Sequence, residues 1–238
     1  MKSMTRSTMG ILLVSFLFVF STSAAMAQDP VTANPDRYKV LLENDQVRVL
    51  EAHAKPGEKE KASHHGATVM YTLAPSKAKF TRAGGKSEVR EFKAGQVDWT
   101  AGETHAVEVV GNNEAHVFLV ELKKPGKRGK TVRGADPAKI DPKHFKVRLN
   151  NASVRVLEFR AKPGDKVRMH AHPNYVVYNL SGGKTRFTSA EGKTEEREAV
   201  EGNATWNESE RHAAEIVGNT EAHSLLIELK SPRAKAKM

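Results

Sequence analysis

Apolar and polar residues alternate along two matching stretches of the chain, VRVLEAHA (47–54) and VRVLEFRA (154–161). A period of two sends successive side chains to opposite faces, so both stretches predict half-buried β-strands. Further short runs of β-branched and aromatic residues are separated by turn signals. These are Lys-Pro-Gly at 55–57 and 162–164, Gly84-Gly85, Gly182-Gly183 and Gly111-Asn112-Asn113. No window carries a long helical period. The pattern predicts an all-β chain of many short strands, arranged as a sandwich or small barrel.

The strands come in two sets because the sequence repeats itself. KVLLENDQVRVLEAHAKPG (39–57) returns as KVRLNNASVRVLEFRAKPG (146–164), and HAVEVVGNNEAHVFLVELKKP (105–125) returns as HAAEIVGNTEAHSLLIELKSP (212–232). One constant offset pairs Tyr38 with Phe145, His65 with His172, His105 with His212 and Pro125 with Pro232, without a gap. Such self-similarity predicts two copies of one domain. Their expected bounds are 36–125 and 143–232, with a Gly-, Pro- and Lys-rich linker at 126–142 and a basic tail at 233–238. Reading Asn112-Asn113 as a two-residue hairpin turn pairs position 109 with 116 and 107 with 118. His105, Val107 and Val109 then share the inner face with His116, Phe118, Val120 and Leu122, while Glu121 and Lys123 face water. In the second copy the same reading puts Leu225, Ile227 and Leu229 inside and Glu228 and Lys230 outside. His116 and His223 also turn inward on this pairing. They lie on the order of 13 Å along the strand from His105 and His212, too far to share an ion.

Composition adds a compartment. Lys2 and Arg6 precede an apolar run from Gly10 to Phe20, and Ala25-Met26-Ala27 supplies a small-x-small site. This predicts a secretory signal at 1–27, cleaved after Ala27, and a secreted or periplasmic protein. The chain has no cysteine, which excludes disulfides and a cysteine-borne lipid anchor. The formal charge is +10, and removal of Lys2 and Arg6 with the signal leaves +8. The excess gathers in KKPGKRGK (123–130) and in PRAKAKM (232–238), neither of which holds an aromatic residue. That argues against nucleic acid as a partner. It leaves room for loose contact with an anionic surface, without stable membrane insertion. GKRGKT (126–131) has Lys124 where a phosphate loop needs glycine.

The candidate chemistry lies in VRMHAHPNYVVY (167–178), where His170 and His172 fall on one face of a strand. Gly164, the His170-x-His172 pair after five intervening residues, and Gly182 resemble the first motif of the cupins. Gly202, Trp206, His212 and Gly218-Asn219 resemble the second, and the tandem arrangement resembles a bicupin over about residues 36–232. The resemblance implies an antiparallel jelly-roll barrel for each copy, with any site inside it and the two copies packed as a pseudo-dimer. It implies one divalent metal on His170, His172 and His212, in the second barrel. The family's usual glutamate is absent: its position is Val176 or Val177, and no acid lies between Asp165 and Glu191. Three imidazoles with open positions suit Zn, Fe, Ni, Mn or Cu. Neutral ligands leave the ion its full charge, which favours an anionic group beside it. The first copy keeps His65 and His105 but has Ser63 in place of the first histidine. Its His64 points to the opposite face, so this site is degenerate and expected to lack metal. Tyr175, Tyr178 and Trp206 are candidate pocket residues, while Glu208 and Glu210 read as solvated acids on a loop. No catalytic residue can be assigned. The sequence supports an exported bicupin that binds a small molecule, or a metal-dependent dioxygenase or isomerase acting on a small anionic or phenolic substrate. Association of whole chains is left open.

Overall fold

The computed structural model describes residues 28–123 and 133–230. The expected signal (1–27), the basic stretch at 126–132 and the tail (233–238) lie outside the described residues. The first copy opens with a one-turn helix, α1 (Pro30–Ala33). Nine strands follow: β1 (Tyr38–Glu43), β2 (Val47–Ala54), β3 (Ser63–His65), β4 (Ala67–Ala74), β5 (Ser76–Arg82), β6 (Ser87–Phe92), β7 (Val97–Thr100), β8 (Glu103–Val109) and β9 (Ala115–Leu122). The second copy repeats the order with α2 (Pro137–Ile140), β10 (Phe145–Asn150), β11 (Val154–Ala161), β12 (Lys166–His172), β13 (Tyr175–Asn179), β14 (Gly183–Ser189), β15 (Thr194–Ala199), β16 (Ala204–Asn207), β17 (Glu210–Ile216) and β18 (Ala222–Leu229). Each copy folds into a five-stranded and a four-stranded sheet, ordered β1-β2-β9-β4-β7 with β3-β8-β5-β6, and β10-β11-β18-β13-β16 with β12-β17-β14-β15. The chain is all-β, two jelly-roll barrels in tandem, as the strand pattern predicts.

The expected β8–β9 hairpin does not form. β8 pairs with β3 and β5, whereas β9 pairs with β2 and β4. The Gly111–Asn113 connection therefore crosses from one sheet to the other, and no shared register relates the two strands. The assigned face of β9 is reversed as a result. Val117 and Leu119 line the first barrel's cavity, while Phe118 and Val120 face out. The same holds for β18, where Leu226 lines the cavity and Leu225 and Ile227 face out.

The outer face is apolar because it is covered. Val47, Val49, Val69, Tyr71, Phe118 and Val120 form one buried cluster with Val154, Val156, Val176, Tyr178, Leu225 and Ile227. The two five-stranded sheets meet face to face there, and the rings of Phe118 and Tyr178 stack with centroids 4.0 Å apart. A strand buried on both faces reads as a near-continuous apolar run, so its sequence carries no inside–outside signal. Inside each barrel lies a smaller core. Tyr38, Leu50, Ala52 and Leu119 form the first; Phe145, Leu157, Val167, Tyr175, Ala214 and Leu226 form the second. The edge strands β6 and β15 are mostly exposed. Their charged sequences, SEVREF and TEEREA, protect open backbone edges from pairing with other chains. The two Lys-Pro-Gly turns behave as their composition predicts: Gly57 and Gly164 both sit at φ +81°, a region costly for any side chain.

Candidate metal centre

Strand register brings three histidines together. β12 pairs with β17 so that His170 lies opposite His212 and His172 opposite Glu210. The ladder shifts register between Val167 and His170. Ring centroids are 4.7 Å apart for His170–His172, 4.7 Å for His170–His212 and 5.4 Å for His172–His212. One ligand nitrogen from each ring lies within 4.8 Å of the others. All three side chains are buried.

Their hydrogen bonds preset them as ligands. His170 Nδ1 donates to the carbonyl of Arg168 at 2.6 Å, and His172 Nδ1 donates to Glu228 Oε1 at 2.7 Å. Both partners can only accept, so the ring proton sits on Nδ1 and the Nε2 lone pair is bare. His170 Nε2 and His212 Nδ1 are buried without any hydrogen-bond partner. His212 Nδ1 lies 3.2 Å from Glu210 Oε1, but outside bonding geometry. A buried unpaired nitrogen such as His170 Nε2 is costly, and a divalent ion would satisfy it together with one nitrogen from each of the other two rings. Burial, reinforced by the neighbouring His172, holds His170 down at about 3. Burial also lowers His172, against the pull of Glu228. These two rings are thus neutral near pH 7, as metal ligands must be. The residues fit a divalent metal.

The support behind His172 was missed in the sequence. The hairpin reading puts Glu228 in water, yet it is 1% exposed and its carboxylate meets His172 inside the second barrel. It joins His172 to Arg155, whose Nε donates to Glu228 Oε2 at 2.5 Å. Arg155 in turn donates to Asp136 Oδ2 at 2.8 Å. Burial pushes the Glu228 carboxyl up, but His172 and Arg155 outweigh it and leave the group below the usual carboxylate range. A carboxylate behind a ligating imidazole fixes its tautomer and raises its basicity. Asp136 also accepts the backbone N–H of Ala138 at 3.0 Å as the N-cap of α2. This helix falls within the segment 126–142 read as linker, yet its cap belongs to the site's support. The first copy carries the same chain of contacts. Asp29 holds Arg48, Arg48 Nε donates to Glu121 Oε2 at 2.8 Å, and His65 Nδ1 meets Glu121 Oε1 at 3.0 Å. Carrying the repeat upstream of Tyr38, where Asp29-Pro30 aligns with Asp136-Pro137, would have exposed the conserved offset.

Beside the three histidines lies a cavity of about 250 Å³, lined by Phe145, Phe159, Val167, Phe187 and Leu226, with Arg197 on its wall. The Arg197 guanidinium sits 4.8 Å over the Phe187 ring. Tyr175 lines the same cavity. Its ring lies 4.8 Å from that of His172, and its hydroxyl donates to Glu210 Oε1 at 2.6 Å. Glu210 is therefore no solvated loop acid but the first residue of β17. Burial pushes Glu210 up, but His212 and Tyr175 outweigh it and bring the carboxyl to about 2. Burial and the Glu210 charge push the Tyr175 phenol well above its ordinary value. Glu208 accepts Trp206 Nε1 at 2.8 Å.

Two pocket candidates fall elsewhere. Tyr178 belongs to the cluster between the barrels and Trp206 packs against that cluster, because even positions of β13 and β16 face out. His116 and His223 are likewise on the outer faces, held by Glu51 at 2.8 Å and Glu158 at 2.9 Å. In the first barrel, His105 lies opposite Ser63, and the His65 and His105 rings are 5.3 Å apart. Burial, with the nearby His65, lowers His105 to about 4. No third imidazole completes this site, and the hydroxyl of Ser63 is buried without a partner. Its cavity is larger, about 570 Å³. His64 is exposed, on the opposite face of β3.

No family model and no curated protein matches the chain. Solved structures do. A mutant of oxalate decarboxylase from Bacillus subtilis superposes with a TM-score of 0.58 at 14% identity, covering 82% of this chain and 72% of that one. Another structure of oxalate decarboxylase, on its substrate binding mode, gives 0.58 at 15% identity over 83% and 73%. A third, concerned with the Mn(II) centres of the Bacillus subtilis enzyme, gives 0.56 at 13% identity over 83% and 76%. At this identity the likeness establishes the fold, and this chain is built as two tandem cupin-type jelly rolls.

Proposed function

We propose that the chain is an exported bicupin whose second barrel holds one divalent metal on His170, His172 and His212 and binds a small molecule beside it. The observation that carries this reading is the convergence of three buried imidazoles, with one ligand nitrogen of each within 4.8 Å of the others and His170 Nε2 buried without a partner. When bound, the metal supplies a positive charge at the cavity's end. The Mn(II) centres named for the oxalate decarboxylase structure support a divalent ion in this fold. The cavity wall fits a ligand with an apolar or aromatic body, and Arg197, whose Nε is paired with Glu195, keeps its terminal N–H groups for an anionic group such as a carboxylate or phenolate.

A metal-dependent enzyme is the second reading, and the Tyr175–Glu210 pair beside the ligands is the observation in its favour. Proton transfer near pH 7 works best with groups titrating near 7. Glu210 at about 2 is a weak base, and the raised Tyr175 is a weak acid. The pair therefore suits orientation of a ligand more than proton transfer, which favours binding. The test is a thermal-shift panel of small carboxylates and phenols on metal-loaded wild type and on His212→Ala, with turnover assayed in parallel. A compound that stabilises only the metal-loaded wild type, without being consumed, supports the proposal. Binding that is equal in metal-free protein and in His212→Ala refutes it, and turnover lost in His212→Ala moves the assignment to the enzyme.

A further inference from the structure

The duplication provides an internal comparison at the outer face of the five-stranded sheets. In the second copy, Glu158 and Glu221 share one arginine: Arg160 donates to Glu158 at 3.1 Å and to Glu221 at 3.2 Å. Arg148 adds a second guanidinium at 2.5 Å from Glu158, and His223 Nε2 completes the group at 2.9 Å. Two carboxylates there face two permanent cations. The first copy keeps both carboxylates and the histidine as Glu51, Glu114 and His116, but replaces the two arginines by His53 and Leu41.

His53 takes up the place of Arg160. Its Nδ1 lies 3.0 Å from Glu114 Oε1 and its Nε2 3.6 Å from Glu51 Oε1. His116 Nε2 lies 2.8 Å from the same Glu51 oxygen. The two imidazoles stack with centroids 3.8 Å apart. A neutral imidazole has one N–H, so His53 cannot donate to both carboxylates as the arginine does. Protonating both stacked rings would place like charges in contact. With both rings neutral, the two carboxylates keep Lys39, the cross-strand neighbour of Glu51, as a nearby cation, whereas the second copy adds two arginines to the matching Lys146.

We propose that Glu51, His53 and His116, with Glu114 beside them, form a second divalent-metal site, outside the barrels and unrelated to the three-histidine centre. One ligand atom from each of the three residues already lies within 4.8 Å of the others. Two imidazoles with carboxylate oxygens are a donor set for Zn, Ni, Co or Cu, and a poor one for Mg or Ca. His53 is the direct cross-strand neighbour of His116 and Glu51 that of Phe118. The ion thus clips β2 to β9 at the rim of the cluster where Phe118 meets Tyr178. A polar groove of about 560 Å³, lined by residues including Arg37, His53, Glu58 and Glu114, gives it a path from solvent. Water from that groove fills the remaining coordination positions.

The experiment uses the tag-free chain, stripped with chelator and equilibrated with zinc, and counts ions per chain. His53→Arg writes the second copy's residue into the first and so preserves a proven packing. The expected result is one zinc fewer per chain in His53→Arg and in His116→Ala than in wild type, with a smaller zinc-induced rise in Tm. In His170→Ala/His172→Ala the outer ion remains. Equal zinc content in wild type and His53→Arg overturns the proposal, as does an outer ion that disappears only with His170 and His172.

Discussion

Replacing Glu228 by glutamine tests the buried support of the second barrel against a control within the same chain. Glu228 accepts from His172 Nδ1 at 2.7 Å and from Arg155 Nε at 2.5 Å. An amide of the same size offers one acceptor and one donor, so one of those two N–H groups must face an NH₂. The lost bond is charge-assisted and worth about 1.5–3 kcal/mol. Removing the counter-charge of a buried arginine outright costs about 3–5 kcal/mol, but Asp136 still holds Arg155 at 2.8 Å. The expected loss of stability is therefore about 2–4 kcal/mol, read from urea unfolding of the metal-free protein. Metal affinity should fall 10–100-fold, on the order of 1.4–2.7 kcal/mol, because the carboxylate no longer fixes the His172 tautomer. Glu121→Gln makes the same change in the first copy, between Arg48 and His65. It should cost similar stability and leave metal affinity unchanged, since Ser63 stands where the third imidazole would be. Competition titration against a chromogenic chelator measures the affinities. The reasoning fails if both variants weaken metal binding equally, or if Glu228→Gln leaves it at the wild-type value.

Metal-free protein should lose stability as the pH falls below about 6.5. The folded values of His170 and His105 are held at about 3 and about 4, below their ordinary 6.5. The unfolded chain then binds more protons throughout that window, so stability rises with pH, by about 1.4 kcal/mol per unit for each fully coupled group. Glu210, at about 2 against 4.5, adds to the loss below pH 4.5; a flat urea midpoint between pH 6.5 and 4 would contradict this. Phe118→Ala should cost about 3–5 kcal/mol in urea unfolding, because Phe118 is fully buried between the sheets. A loss below about 1 kcal/mol would contradict the face-to-face contact of the two sheets. Tyr175→Phe should lose about 1.5–3 kcal/mol with its bond to Glu210, while metal content stays unchanged.

The strands Val47–Ala54 and Val154–Ala161 were legible in extent but not in their faces, because the apolar parity switches at Val49-Leu50 and Val156-Leu157 and both sides are buried. His170, His172 and His212 were legible because a two-residue spacing on a strand and a repeated motif both place them on one face. Glu121 and Glu228 were not. Their strands, AHVFLVEL and AHSLLIEL, are buried on both sides, and beyond the polar residues at their starts the glutamate is the one polar landmark in each. A lone carboxylate in an apolar run reads as the solvent side unless a buried arginine is known to meet it. That arginine, Arg48 or Arg155, stands some seventy positions away in the chain, so only the three-dimensional pairing reveals it. Tyr178 and Trp206 failed as pocket residues for the same reason: their parity was correct for burial but silent about which side.

The most direct test of the three-histidine centre is metal content per chain in tag-free protein, for wild type and for His170→Ala/His172→Ala, after equilibration with zinc, manganese or iron. The account predicts that the double variant holds one ion fewer than wild type for at least one of these metals. Equal content for all three would mean that the converging imidazoles bind none of them, and the proposed centre would fall.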